Sequence, residues 1–155
     1  MGIKSFQGAR RKQSNGTDDN PLKVSDYMTT SLITFKADQS IENVMEILVN
    51  NRISGGPVVN DKNELVGIIS ETDCMKQISE SRYYNMPMQD KTIEKYITKN
   101  VDTIDGNMNI FDAATKFIKS KRRRFPILTN GKLVGQISQS DVLKAAMKLK
   151  GQNWK

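Results

Sequence analysis

An internal repeat limits what this 155-residue chain can fold into more than any other feature of its sequence. Residues 24–29 (VSDYMT) align with residues 93–98 (IEKYIT) at an offset of 69. An ordered series of further matches predicts two structural copies of one supersecondary unit. At offsets of 69 and then 68, these matches are Thr34 with Thr103, Ile41 with Ile110, Pro57 with Pro126, Ser70 with Ser138, and Asp73 with Asp141.

Helical spacing of apolar residues predicts the first helix of each copy. The stripe follows a residue that can accept hydrogen bonds from the first free backbone amides, Ser40 in the first copy and Asn109 in the second. A further helix is expected to start near Thr72 and near Ser140. The stripes, at positions i, i+3, i+4 and i+7, are Ile41, Val44, Met45 and Leu48, and Ile110, Ala113, Ala114 and Phe117.

Short apolar runs between turn signals predict the strands. Each copy is expected to begin with a strand, around 32–35 and 101–104, and to contain a hairpin between its helices. The Asn130-Gly131 pair is a strong signal for a tight hairpin turn. The unit is therefore β-α-β-β-α. Two such units are each marginal alone, so we expect an α/β fold in which they pack as one pseudo-two-fold body.

The repeat also sets the expected domain boundaries. Residues 22–82 form the first unit, 83–92 a linker and 93–150 the second unit. Residues 1–21 are polar, glycine-containing and basic, which favours a flexible tail. Residues 151–155 form a short C-terminal tail.

Composition excludes several kinds of chemistry. The chain has no histidine and one cysteine, Cys74, so it cannot use Ser-His or Cys-His catalysis, a disulfide within the chain or a multi-cysteine zinc site. It has neither a glycine-rich dinucleotide motif nor a phosphate-binding Walker loop. No run of apolar residues is long enough to span a bilayer, and the start of the chain lacks the apolar core of a signal peptide. We expect a non-enzymatic protein of a reducing cytoplasm, without metal or membrane.

Charge is distributed unevenly along the chain. Residues 24–77 carry four basic and eight acidic residues, whereas residues 78–155 carry fifteen basic and seven acidic ones. The net charge of +7 is therefore not a uniform basic coat of the kind that favours nucleic acid everywhere. Because the first copy is acidic and the second is basic, electrostatic attraction between unlike copies would influence how two chains associate.

The doubled unit resembles a pair of cystathionine-β-synthase (CBS) domains, often called a Bateman module. The resemblance covers Val24 to about Leu149, and its most specific strings are 65–73 (LVGIISETD) and 133–141. Segments 26–29 (DYMT) and 53–61 (ISGGPVVND) also carry it. The resemblance implies a stand-alone regulatory or sensor module that binds an adenine nucleotide, such as AMP, ADP or ATP, in the cleft between the copies. The nucleotide would be a regulatory ligand, with no cofactor required.

The resemblance also implies ligand contacts. Asp73 and Asp141 each follow a serine by three residues at a strand-to-helix turn, where a carboxylate can accept hydrogen bonds from ribose hydroxyls. The alternative is that each aspartate only stabilises a helix N-terminus. In AMP-sensing members of the family, basic residues two and three positions before the strand proline contact phosphate. Arg124 and Arg123 occupy those places before Pro126, while the first copy has Gly55 and Ser54.

Other candidate contacts have equally ordinary explanations. The full candidate set is Thr34, Ile53, Val58, Ser70, Asp73, Thr103, Arg123, Arg124, Phe125, Pro126, Ser138 and Asp141. Thr34 and Thr103 would contact base or ribose from the first strands, or simply suit a strand. Ile53, Val58 and Phe125 could flank an adenine or belong to the core. Gly67 and Gly135 are expected at packing positions inside strands.

Two other functions remain open from the sequence. The basic tail and the Lys116–Arg124 run could bind nucleic acid, although aromatic residues for stacking make up only 6% of the chain. The module could also be a ligand-free dimerisation unit. The sequence does not identify a protein that the module would regulate. Whether the module is a sensor or a dimerisation unit, we expect it to form a disc-shaped homodimer. Electrostatic complementarity favours a head-to-tail arrangement, in which each acidic copy faces a basic one.

Overall fold

The computed structural model describes residues 22–84 and 91–150 of the chain. Both predicted tails and the middle of the linker lie outside the described residues. The mixed α/β order matches the predicted repeat, with two helices and one hairpin in each copy. In chain order the elements are α1 (Ile41–Asn51), β1 (Gly55–Val59), β2 (Leu65–Ser70), α2 (Glu71–Tyr84), β3 (Ile104–Asp105), α3 (Ile110–Ser120), β4 (Arg124–Thr129), β5 (Lys132–Ser138) and α4 (Gln139–Lys150).

The capping residues begin α1 and α3 as predicted. The Ser40 side chain accepts a hydrogen bond from the Asn43 amide at 3.0 Å, and Asn109 accepts one from the Asp112 amide at 2.8 Å. Both helices end at a residue in the left-handed conformation, Arg52 and its counterpart Lys121. Because the two helices have the same length and the same ends, the residues that follow them enter β1 and β4 in the same way.

Each hairpin pairs antiparallel, with the same register in both copies. Gly55 lies opposite Ser70 in the first hairpin, and Arg124 lies opposite Ser138 in the second. The second turn has positive φ at Asn130 (53°) and Gly131 (79°), which confirms the predicted tight turn. The strand ends away from the turns therefore present matched positions from the two copies.

The first strand of each copy is shorter than the sequence predicted. The second copy has only β3, parallel to β4, and the first copy has one bridge residue, Phe35, beside Val58. The Phe35 amide donates to the Pro57 carbonyl and the Val59 amide donates back, both at 2.9 Å. The next bond along this ladder would need an N–H on Pro57, which proline lacks. Pro126 ends the ladder in the second copy for the same reason, so Thr34 and Thr103 lie just before the paired residues and outside the strands.

The segments that precede the copies are exchanged between them. Val24 lies in the hydrophobic core of the second copy, and Thr29 exchanges two hydrogen bonds with Gln136 of β5. In the same way, Ile93 lies in the core of the first copy, and Thr98 exchanges two hydrogen bonds with Ile68 of β2. Each sheet is thus closed by a residue from the segment that leads into the other copy.

Gly67 and Gly135 permit this exchange. A Cβ on Gly67 would lie 2.5 Å from the Thr98 carbonyl oxygen, and one on Gly135 would lie 2.8 Å from the Thr29 carbonyl oxygen. The exchanged backbones therefore approach β2 and β5 too closely for any side chain, which confirms the prediction that both glycines are packing positions.

The two hairpin turns contact each other at the far ends of the strands. The Asn63 side-chain amide donates to the Leu133 carbonyl at 2.8 Å, and the Leu133 amide donates to the Asn63 carbonyl at 3.0 Å. Lys132 Nζ donates to the Lys62 carbonyl at 2.7 Å. The copies are thus joined at this end, and a cleft lies between them at the opposite strand ends. Among the described helices, none is long and apolar enough to cross a membrane.

Candidate functional site

The floor of the cleft is formed by the strand ends of both hairpins. Here a cavity of about 280 Å³, which we call the central cavity, lies between the two copies. The first copy contributes small or apolar groups, and the second contributes three consecutive arginines. The lining residues are Ser54, Gly55, Gly56, Pro57, Ile68, Ser70, Arg122, Arg123, Arg124, Pro126 and Gln136.

A second cavity of about 220 Å³, the side cavity, adjoins the central one. Arg122 and Arg124 line both, as do Ile68, Ser70 and Pro126. The side cavity adds two carboxylates, Asp73 and Asp102, and a stretch of backbone before β3. Its remaining lining residues are Thr98, Asn100 and Val101.

The two Ser-x-x-Asp motifs have nearly identical geometry. Asp73 Oδ2 accepts from the amide and the hydroxyl of Ser70, both at 2.9 Å. Asp141 Oδ2 accepts from the amide and the hydroxyl of Ser138 at 2.9 and 3.0 Å. In return, each aspartate amide donates to its serine hydroxyl. Each aspartate therefore closes a capping box at the start of α2 or α4, and this uses only one of its carboxylate oxygens.

The second carboxylate oxygen, Oδ1, is less accessible to solvent in Asp73 than in Asp141. Asp73 is only 4% exposed, and its Oδ1 lies 3.9 Å from Lys76 Nζ. Asp141 is half-buried, and no described residue donates a hydrogen bond to its Oδ1. Ser138 pairs with Arg124 in the β4–β5 ladder. Asp141, in the first turn of α4, therefore follows a residue that neighbours Arg124. Asp141 is thus the more open of the two acceptors.

Arg123 and Arg124 have uncompensated positive charge. Both residues are exposed, and neither forms an ion pair with any acidic residue in the described part of the chain. Guanidinium groups present paired donors that match phosphate oxygens. The predicted phosphate-contacting pair therefore lines a cavity and is available to an anion.

A charged network beside the cleft was missed at the sequence level. Lys116 Nζ lies 3.0 Å from Asp102 Oδ1 and also donates to the Thr103 carbonyl at 2.8 Å. Arg122 Nε lies 3.8 Å from Asp102 Oδ2. Lys116 is therefore turned toward the protein and withdrawn from the Lys116–Arg124 patch that nucleic-acid binding would require.

The repeat itself contains a signal for this network. At the offset of 69, the charged residues Asp102, Lys116 and Arg122 correspond to Ile33, Ile47 and Ile53. Three isoleucines in one copy are thus replaced by one anion and two cations in the other. The two halves of the cleft are therefore chemically different, and the difference extends beyond Arg123 and Arg124.

Two of the candidate contacts are core residues. Val58 and Phe125 have no exposed surface and belong to the first and second cores, respectively. The Phe125 ring lies 4.8 Å from the Phe117 ring between centroids, and Lys116 Nζ lies 5.3 Å from the Phe125 ring centre. Both side chains are directed away from the cleft because alternate residues of a strand face opposite sides of its sheet. The prediction that they flank an adenine is therefore replaced by the core alternative.

The other candidates lie near the cleft to different degrees. Pro126 and Ser70 line both cavities. Ile53 is half-buried against the first core, and the exposed Thr34 precedes the residue that pairs beside Pro57. Thr103 is half-buried, and its carbonyl is held by Lys116.

The remaining titratable groups with shifted pKa values have structural environments. Burial, with a hydrogen bond of 2.7 Å to the Glu80 carboxylate, raises the pKa of Tyr96 to about 12. Burial and the neighbouring Asp73 and Glu71 raise the pKa of the Cys74 thiol, which keeps it protonated. Within residues 22–84 and 91–150, no group of three or more histidine, cysteine, aspartate or glutamate side chains could hold a metal ion.

Comparison with known proteins identifies relatives by sequence identity. MJ1225 of Methanocaldococcus jannaschii is 29% identical over 131 residues, covering 84% of this chain and 44% of that protein. The chloroplastic CBS domain-containing protein CBSX2 of Arabidopsis thaliana is 30% identical over 153 residues, covering 82% of this chain and 64% of that one. The chain thus spans less than two thirds of the length of either protein.

A solved structure has the same fold. The crystal structure of CBSX2 in complex with AMP superposes with a TM-score of 0.71 at 28% identity, over 83% of this chain and 98% of that one. The CBS domain family model matches twice, at residues 24–80 and 93–148, which are the two copies of the repeat. The chain therefore belongs to the CBS domain family and contains a pair of these domains.

Proposed function

We propose that this protein is a non-enzymatic regulatory module that binds an adenine nucleotide in the cleft between its two copies. The observation that carries the proposal is the central cavity, which is lined by Arg123 and Arg124, two arginines without an acidic partner among the described residues. The AMP complex of CBSX2, a relative of the same fold, supports an adenine nucleotide as the ligand.

The chemistry of the cleft suggests how the nucleotide is oriented. The phosphate lies in the central cavity, where Arg123 and Arg124 supply charge-assisted hydrogen bonds. The ribose hydroxyls donate to Asp141 Oδ1, since this oxygen is not used by the capping box. The base then lies toward Thr34 and Ile53, because the corresponding half of the second copy is occupied by charged groups.

The two capping-box aspartates provide a matched test of this orientation. We expect Asp141→Asn to weaken AMP binding tenfold or more, because a charged hydrogen-bond partner contributes about 1.5–3 kcal/mol. Asp73→Asn removes the same charge from the same capping geometry, but from a carboxylate that is only 4% exposed and lies at the side cavity, outside the central cavity. It should change AMP affinity less than threefold. Isothermal titration calorimetry of both folded variants measures the difference.

The outcomes separate the possibilities. If both variants lose affinity equally, the nucleotide does not distinguish the two halves of the cleft. If neither does, the ribose is not bound by these carboxylates. Failure of the unaltered protein to bind AMP, ADP or ATP at millimolar concentration would contradict the proposed function itself.

Exposed apolar residues on the helices indicate a second binding surface. On α1 and α2, Met45, Val49, Met75 and Ile78 line a groove of about 350 Å³. On α3 and α4, the exposed apolar residues are Phe111, Ile118, Leu143 and Met147. We propose that these two surfaces meet in a head-to-tail homodimer, since the first carries Glu42, Glu46 and Glu71 and the second carries Lys119 and Lys144.

Chemical crosslinking tests this arrangement. A carbodiimide, which couples a carboxylate to a nearby amine, is expected to join Glu46 of one chain to Lys119 of the other. Mass spectrometry of a mixture of unlabelled and isotopically labelled protein identifies links between chains. Cysteine variants at position 46 that crosslink to each other would instead indicate a parallel dimer. A monomer at all accessible concentrations would contradict the proposal.

A further inference from the structure

We propose that the cleft binds adenine nucleotides with two or more phosphates more tightly than AMP, and that Arg122 determines this preference. The inference rests on the proposed nucleotide site and specifies its ligand. Arg122 differs from the neighbouring arginines because it lies near an acidic residue, Asp102.

Positive charge extends beyond the place of a first phosphate. No acidic residue lines the central cavity, and its three arginines are consecutive in the chain. Arg123 lines the central cavity, whereas Arg122 and Arg124 line the side cavity as well. Because Arg122 also lines the central cavity, which has no acidic lining residue, a phosphate chain that begins at Arg123 and Arg124 would meet a third arginine there.

Charge matching distinguishes Arg122 from the other two arginines. A terminal phosphate group carries about two negative charges at neutral pH, which two guanidinium groups can balance. Arg123 and Arg124, which have no acidic partner among the described residues, supply those two. The charge of Arg122 becomes useful only when the ligand has a further phosphate.

Arg122 is held loosely enough to serve this role. Its Nε lies 3.8 Å from Asp102 Oδ2, and its side chain is 51% exposed. Asp102 has a closer partner in Lys116 Nζ at 3.0 Å. Arg122 can therefore turn toward a phosphate without leaving Asp102 unpaired, so the exchange does not expose an uncompensated carboxylate.

The chain supplies its own control substitution. The first copy has Ile53 at the position that Arg122 occupies in the second, after the same left-handed helix end. Arg122→Ile thus introduces a residue already accommodated by this backbone geometry. A complementary change, Asp102→Asn, removes the acidic partner of Arg122 and retains Arg122 itself.

The test is isothermal titration of the 155-residue chain with AMP, ADP and ATP in magnesium-free buffer. We expect ATP to bind at least tenfold more tightly than AMP, with ADP between them. In Arg122→Ile the ratio of the AMP and ATP dissociation constants should fall below three. In Asp102→Asn the ATP affinity should rise about threefold, because Arg122 is released and a negative charge is removed from the side cavity.

Each result bears on the inference differently. Equal affinities for the three nucleotides in the unaltered protein would overturn the inference and leave the proposed function standing. Absence of binding by all three would overturn both. A preference for ATP that persists in Arg122→Ile would show that Arg122 does not determine it. If Arg122→Ile fails to fold, unchanged ATP affinity in Asp102→Asn would likewise contradict the role of Arg122.

Discussion

Replacing Phe125 by alanine is expected to lower the free energy of unfolding by about 3–5 kcal/mol, the range for removing a buried aromatic side chain. Phe125 has no exposed surface, and its ring packs 4.8 Å from the Phe117 ring between centroids. It also lies at the start of β4, directly after the arginines of the cleft. Loss of its volume would leave a cavity under the strand that carries Arg124. Chemical denaturation followed by circular dichroism measures the change.

Phe125→Leu is the matched control for this prediction. It retains most of the apolar volume, so we expect a loss below about 1.5 kcal/mol. Its AMP affinity should equal that of the unaltered protein, since the side chain faces the core. A Phe125→Leu protein of normal stability that no longer binds AMP would return Phe125 to the group of ligand contacts.

Gly67→Ala is expected to lower the free energy of unfolding by about 2–3 kcal/mol, the upper part of the range for overpacking. The added Cβ would meet the Ile97 side chain and would lie 2.5 Å from the Thr98 carbonyl oxygen. That oxygen cannot move aside freely, because it accepts the Ile68 amide at 2.9 Å. The exchanged segment and β2 must therefore separate.

Gly106→Ala provides the comparison. Its Cβ would also make a close contact, at 3.0 Å, but with the side-chain oxygen of Thr129, which can rotate away. Gly106 is buried as well, but we expect a cost below about 1 kcal/mol for this variant, because the contacting atom belongs to a side chain that can change its rotamer. Equal losses for Gly67→Ala and Gly106→Ala in urea titrations would mean that backbone contact with Thr98 is not the cause.

Local signals in the sequence determined the helices and hairpins well. Ser40 and Asn109 cap the helices they were expected to cap, and Asn130-Gly131 forms the predicted turn. The first strands were predicted too long because a run of β-branched residues says nothing about the partner strand. There, Pro57 and Pro126 lack the amide that would extend the ladder.

Contacts between residues far apart in the chain were harder to predict from the sequence. Burial of Val24 follows from its apolar character, but the copy that buries it depends on the path of the chain between the copies. The arginines that line the central cavity were identified from the sequence, whereas the partners of Arg122 were not. A direct comparison of Asp102 with Ile33 and of Arg122 with Ile53 would have indicated that one half of the cleft contains an ion pair.

The exchanged segments also make the module mechanically stiff. Thr29 and Gln136 share two backbone hydrogen bonds at 2.8 and 2.9 Å, and Ile68 and Thr98 share two more, both at 2.9 Å. A hinge motion that swung the two copies apart would have to break all four bonds and pull both leading segments from the cores they fill. If a ligand binds in the cleft, we expect the helices to slide by small amounts over intact sheets, which is a shear motion rather than the closing of a lid.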